Sequence, residues 1–92
     1  MIRSFKHRGL KRLYEDGDVR GIRPDLLQTV EDILARLDQA STPQDMDLPG
    51  YRLHPLKGDL RGLWSVRVRS NWRIIFRFRE QDVFDVELID YH

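Results

Sequence analysis

Cysteine is absent from the chain, which removes both a disulfide framework and thiolate chemistry. No apolar run approaches membrane-spanning length, so neither a transmembrane helix nor a membrane partner is expected. The opening residues Met1-Ile2-Arg3-Ser4-Phe5-Lys6 lack the apolar stretch of a secretory signal, and cytoplasmic residence is the default expectation. Histidine is scarce. His7, His54 and His92 stand without the helical or turn spacing of a metal motif, so no metal and no other cofactor is expected. Length is short as well: 92 residues make a single domain, 1–92, with room for one sheet covered by one or two helices.

Net charge is nearly absent too, at +1, but the sum hides a segregation. Residues 1–51 carry 8 basic and 9 acidic side chains. Residues 52–79 carry 8 basic ones (Arg52, Lys57, Arg61, Arg67, Arg69, Arg73, Arg77 and Arg79) against Asp59 alone, and residues 80–92 carry 5 acids with no Lys or Arg. A near-neutral chain with one cationic segment is either a polyanion binder or a solvated sheet whose charge the acidic last strand offsets.

Apolar spacing gives the elements. Ile2 to Phe5 alternates as a short strand would. Arg8 to Asp16 has Leu10, Leu13 and Tyr14 at helical spacing, with Gly17 placed to end the helix. Pro24 suits the first position of a second helix, whose stripe is Leu26, Val30, Ile33, Leu34 and Leu37. Ser41-Thr42-Pro43 stops it, and Thr42 with Asp45 caps one further turn. From Tyr51 the period becomes two: a short strand through Leu53 to Pro55, then Trp64, Val66 and Val68, then Trp72, Ile74, Phe76 and Phe78, then Phe84, Val86 and Leu88 as core faces. Lys57-Gly58-Asp59, Ser70-Asn71 and Glu80-Gln81-Asp82 are turn chemistry. The fold class expected is α+β, in β-α-α-β-β-β(-β) order, with two N-terminal helices on one face of a largely antiparallel sheet.

Side chains two apart on a strand share a face, so Arg67, Arg69, Arg73 and Arg77 are expected together on the side the helices leave uncovered. Guanidinium groups grip phosphate with a planar fork and stack on bases, which suits RNA. The competing expectation is cross-strand pairing with Asp85 and Glu87, for Arg77 and Arg79 above all. Two stretches add groups capable of chemistry. His54-Pro55-Leu56-Lys57-Gly58-Asp59 puts an imidazole and an amine near the end of a short strand. Asp90-Tyr91-His92 puts a carboxylate, a phenol and an imidazole at the other end of the cationic segment. If the two stretches meet, they form a site suited to cutting RNA. Taken singly, each is ordinary: a strand histidine is commonly structural, Lys57 alone is a surface lysine, and terminal residues commonly fray.

Ile2-Arg3-Ser4-Phe5-Lys6-His7-Arg8-Gly9-Leu10, His54-Pro55-Leu56-Lys57-Gly58-Asp59, Trp64-Ser65-Val66, Asn71-Trp72-Arg73-Ile74-Ile75-Phe76 and Asp90-Tyr91-His92 together resemble the HigB-type toxins of bacterial type II toxin–antitoxin modules, in the RelE/ParE superfamily. The resemblance spans nearly the whole chain. It implies a RelE-like fold and an endoribonuclease that cuts mRNA in the ribosomal A site and stops translation. His54, Asp90, Tyr91 and His92 match the reaction centre, and Lys57 and Arg73 match as supporting cations. Arg67, Arg69 and Arg77 are assigned to RNA by charge alone. The resemblance further implies a cognate helix-turn-helix antitoxin (HigA-like), the 70S ribosome and mRNA as partners, and operator DNA only through the antitoxin complex.

The reaction this implies is attack of the substrate's 2′-OH on the adjacent phosphorus, without a metal. Two alternatives stay open. A ParE-like toxin would poison DNA gyrase on the same scaffold and have no use for His54 and the terminal tripeptide. A non-enzymatic RNA-binding module would use the arginine face alone.

Overall fold

The computed structural model describes residues 1–91. Two α-helices, α1 (Arg8–Asp16) and α2 (Pro24–Gln39), precede four strands, β1 (His54–Pro55), β2 (Trp64–Arg69), β3 (Trp72–Arg79) and β4 (Asp82–Asp90). The strands form one antiparallel sheet in the order β1-β2-β3-β4. Short 3₁₀ turns at Pro43–Met46 and Gly58–Leu60 lie in the connections on either side of β1.

Local chemistry sets the helix limits. His7 caps α1: its Nδ1 accepts from the Leu10 amide at 3.1 Å. Burial lowers the pKa of this imidazole, against the opposing field of Glu87, and so favours the neutral form that can accept. Gly17 ends α1 in the left-handed region at φ 68°, its N–H reaching the Arg12 and Leu13 carbonyls. Pro24 opens α2, and Thr42 with Asp45 forms the expected capping box. The α2 stripe Leu26, Val30, Ile33, Leu34 and Leu37 is buried throughout. It meets Val66, Val68, Ile74, Phe76, Val83, Val86 and Leu88 from the sheet, and with Leu10 and Leu13 of α1 this contact makes the main core.

Three expectations need correction. Ile2 and Phe5 make no strand of their own; they form isolated parallel bridges to Val83 and Val86 of β4. The strand expected from Tyr51 shrinks to His54–Pro55, because Arg52 takes a left-handed φ of 51° and breaks the extended run. In β4 the buried residue is Val83, not Phe84. Asp85, at φ 58°, lies in a bulge that shifts register between Ile75 and Arg77 and swaps the parity of everything before it.

The N-terminal segment is held along β4 by Asp38 and Asp82. Asp38 Oδ1 accepts from the Tyr14 hydroxyl at 2.6 Å and the Ile2 amide at 3.0 Å. Sharing that proton pushes the Tyr14 pKa up to about 12. Burial by itself would raise the Asp38 carboxyl, but Tyr14, the Ile2 amide and the amino terminus together outweigh it and hold its pKa below the ordinary value. A carboxylate depressed in the folded state stabilises the fold above the unfolded pKa of about 3.9, and that contribution is lost as pH falls through the folded value. Asp38→Asn is therefore expected to be less stable than wild type at pH 7, with the gap closing below about pH 4. Urea titrations of both proteins across pH 2–7 check this.

Candidate active site on the sheet face opposite the helices

Ladder register fixes which side chains stand together. His54 is opposite Ser65, Ser65 opposite Ile75, and Ile75 opposite Glu87, so these four form one row across the sheet. In the next row Arg67, Arg73 and Ile89 are partners. Directly paired residues project from the same face. Both rows alternate with the core residues, which puts His54, Arg67 and Arg73 on the side away from α1 and α2.

That side is not bare, contrary to the expectation. The chain between β1 and β2 folds over it, and Leu56, Leu63, Ile75 and Ile89 make a second apolar cluster there. Ile75 was the visible sign: an isoleucine interrupting a stripe of arginines needs something apolar above it. The four arginines also part company. Arg67 and Arg73 stay on the face. Arg69 lies beyond a register shift, pairs with Trp72, and lines a cleft at the end of the sheet on the α2 side. Arg77 donates from Nε to Asp85 at 3.2 Å, as the cross-strand alternative required. Arg79 stacks instead on Phe84, 4.9 Å from the ring centroid.

His54 is half-buried on the edge strand. Its Nδ1 lies 3.1 Å from the Arg52 carbonyl. A carbonyl only accepts, so Nδ1 carries the proton and Nε2 of the neutral ring keeps its lone pair. The left-handed turn at Arg52 gives that carbonyl its place two residues back. Lys57 is exposed at the start of the Gly58–Leu60 turn.

Arg73 is the unusual group. Its Nε and Nη1 are buried with no hydrogen-bond partner among the described residues. Its guanidinium carbon sits 5.8 Å from the centroid of the Tyr91 ring. A guanidinium is always charged, and burying its N–H donors without an acceptor is costly, so the arrangement suits an anion. Tyr91 is 41% exposed, which leaves ring surface for a second stacking partner.

Asp90 stands opposite Trp72 at the end of β4. With Arg23, Leu26, Arg69, Asn71 and Trp72 it lines the α2-side cleft, of about 380 Å³, where Arg23 lies 5.5 Å above the Trp72 ring. His92 lies outside the described residues. The structure thus brings His54, Arg67, Arg73 and Tyr91 to one face and sets Asp90 and Arg69 on the other side of the sheet, in the cleft beside α2. Among the described residues no cluster of three or more His, Asp or Glu could hold a metal ion.

Sequence reasoning missed Ser65, which is wholly buried with an unpartnered Oγ. A serine between Trp64 and Val66 in an otherwise good strand former was the available signal; the register that places it beside His54 was not.

The Arg77–Asp85 pair also touches the loop over the face, since a Cβ on Gly62 would stand 3.1 Å from Arg77 Nη1. Ser4 completes the group: its hydroxyl accepts from the Asp85 amide at 2.9 Å. Arg77→Ala is expected to destabilise the fold by about 1–3 kcal/mol, because Asp85 is left part-buried without its cation. The salt dependence of RNA binding should change little. Denaturant titration and RNA binding at two ionic strengths measure both.

The model of the HigB-like toxin family, described as the RelE-like toxin of the type II toxin–antitoxin system HigB, matches residues 3–92. An endoribonuclease HigB from Proteus vulgaris is 44% identical over 92 residues, covering 100% of both chains. Toxin HigB-1 from Vibrio cholerae serotype O1 is 34% identical over 83 residues, 85% of this chain and 84% of that one. Among solved structures, a chain of the YoeB–YefM complex from Staphylococcus aureus aligns with a TM-score of 0.63 over 100% of this chain and 95% of its own, at 15% identity, a likeness of fold. The chain belongs to the HigB family of RelE-like toxins from type II toxin–antitoxin systems.

Proposed function

We propose that the protein is a ribosome-dependent endoribonuclease that cuts mRNA in the A site of the 70S ribosome and so arrests translation. The observation that carries this reading is Arg73, whose buried Nε and Nη1 have no hydrogen-bond partner among the described residues, on the same sheet face as His54 and beside Tyr91. The relative from Proteus vulgaris, named as an endoribonuclease, supports it.

In this scheme the 2′-oxygen attacks the adjacent phosphorus, the P–O5′ bond breaks, and the products are a 2′,3′-cyclic phosphate and a 5′-hydroxyl. His54 Nε2 takes the 2′-OH proton, the role its tautomer favours. His92 delivers a proton to the leaving 5′-oxygen, Asp90 steadies the charge on that imidazole, and Tyr91 stacks on a base. Arg73, with Arg67 and Lys57, balances the charge that grows on the phosphoryl oxygens. Arg69 meets the RNA chain beyond the reaction centre. No step calls for a metal ion. The activity belongs in the cytoplasm and needs restraint by a HigA-like helix-turn-helix antitoxin, whose complex with the toxin reaches operator DNA.

The test is induction in cells with mapping of new RNA 5′ ends, comparing wild type with His54→Ala. Ends in phase with the reading frame, lost in the variant, are the expected result. New ends without codon phase would remove the ribosome from the scheme. DNA breaks without new RNA ends would transfer the protein to the gyrase-poisoning branch.

A further inference from the structure

We propose that Ser65 is a positioning residue for His54, its hydroxyl serving as a second anchor for the imidazole during turnover. This rests on the nuclease reading of the face. Ser65 is 0% exposed, and its Oγ has no partner among the described residues. Its nearest same-face neighbours are apolar on one side, Ile75 under the Leu56–Leu63 roof, and His54 on the other, directly across the β1–β2 ladder. Opposed residues on a sheet have Cβ atoms about 4.5–5.5 Å apart, within reach of an imidazole and a hydroxyl once the ring turns.

A buried hydroxyl without a partner opposes folding, and an alanine there would fit the apolar surroundings better. Packing therefore does not explain a serine at this position, whereas the neighbouring ring does. In the resting structure Nδ1 is bound to the Arg52 carbonyl, which can only accept. Nδ1 keeps its proton whether Nε2 is free or protonated, so a second anchor on that nitrogen need only accept, which a serine hydroxyl does. Turning from Arg52 to Ser65 lets the imidazole move against a phosphate held at Arg73 without leaving either ring nitrogen stranded.

The experiment pairs Ser65→Ala with Ser65→Thr, which keeps the hydroxyl. Ser65→Ala should melt at or above the wild-type temperature. Its single-turnover cleavage of mRNA on programmed ribosomes should fall on the order of tenfold to a hundredfold at unchanged KM. With a 2′-deoxy-substituted RNA that cannot be cut bound to the face, the NMR chemical shifts of the His54 ring nitrogens should differ between Ser65→Ala and wild type, and Ser65→Thr should restore both rate and shifts. Wild-type cleavage and unchanged His54 ring shifts in Ser65→Ala would overturn the proposal, as would equal losses in the two variants. The ring shifts need no cleavage, so they judge the Ser65 contact even if wild-type protein cuts no RNA, a result that would reject the nuclease reading instead.

Discussion

His54→Ala will slow RNA cleavage by about 10²–10⁴-fold, the range for losing a general base, while unfolding at nearly the wild-type temperature. The two halves of that expectation have separate grounds. The ring is half-buried on a two-residue edge strand, outside both apolar clusters, and hydrogen-bonds the Arg52 carbonyl. Little packing is lost with it. The chemistry loses the group whose proton position is set by that carbonyl. A variant that melts normally and cuts RNA at the wild-type rate would take His54 out of the reaction. Cleavage on programmed ribosomes, followed beside thermal unfolding, gives both readings from one preparation.

Gly9→Ala will lower the melting temperature, against the usual sign of that exchange. In an ordinary helix position alanine is better than glycine by about 1 kcal/mol. Here a Cβ on Gly9 would stand 2.5 Å from the Gly21 carbonyl oxygen and 2.9 Å from its carbon. Both are backbone atoms and cannot swing aside as a side chain can. The third contact, 2.9 Å, is to Cε1 of His7, the ring that caps α1. Overpacking of this kind costs about 1–3 kcal/mol. For a domain of this size that is a fall of roughly 4–20 °C, readable by circular dichroism. Gly21→Ala meets the same obstacle from the other side, with its Cβ 2.6 Å from the Gly9 Cα. A melting temperature above wild type in either variant would show that the α1–α2 corner can open without cost.

What could be read from the chain beforehand was what short-range chemistry decides. Gly17, Pro24 and the Thr42–Asp45 box each act within one turn of helix, and each appears where the residue type requires it. The α2 stripe was legible because five apolar residues at helical spacing leave one way to face a sheet. The bulges were not legible. Nothing about Asp85 as a residue says it will take a positive φ, yet that single torsion exchanges Val83 for Phe84 in the core. The same blindness affected the candidate site. Alternation correctly put Arg67 and Arg73 on one face, and the pairing of Arg77 with Asp85 was the cross-strand alternative already open, but a register shift carried Arg69 to the α2 side. His54 and Tyr91 were singled out as residues. The left-handed kink at Arg52 that orients His54, and the burial of the Arg73 Nε and Nη1 atoms, have no signature in residue type or spacing.

The bridges from Ile2 to Val83 and from Phe5 to Val86 impose an order of events on folding. β2, β3 and β4 are joined by short turns and can zip as local hairpins, on a timescale of about 1–10 μs each. The N-terminal segment must close a loop of some eighty residues to reach β4, and the entropy of that closure is regained only when the sheet edge is already there to receive it. The hairpins therefore form before the clasp. Until the clasp shuts, Ile2 is open to water and β4 is an unpaired edge of the sheet. In that interval the nascent toxin is most exposed to aggregation and to proteolysis.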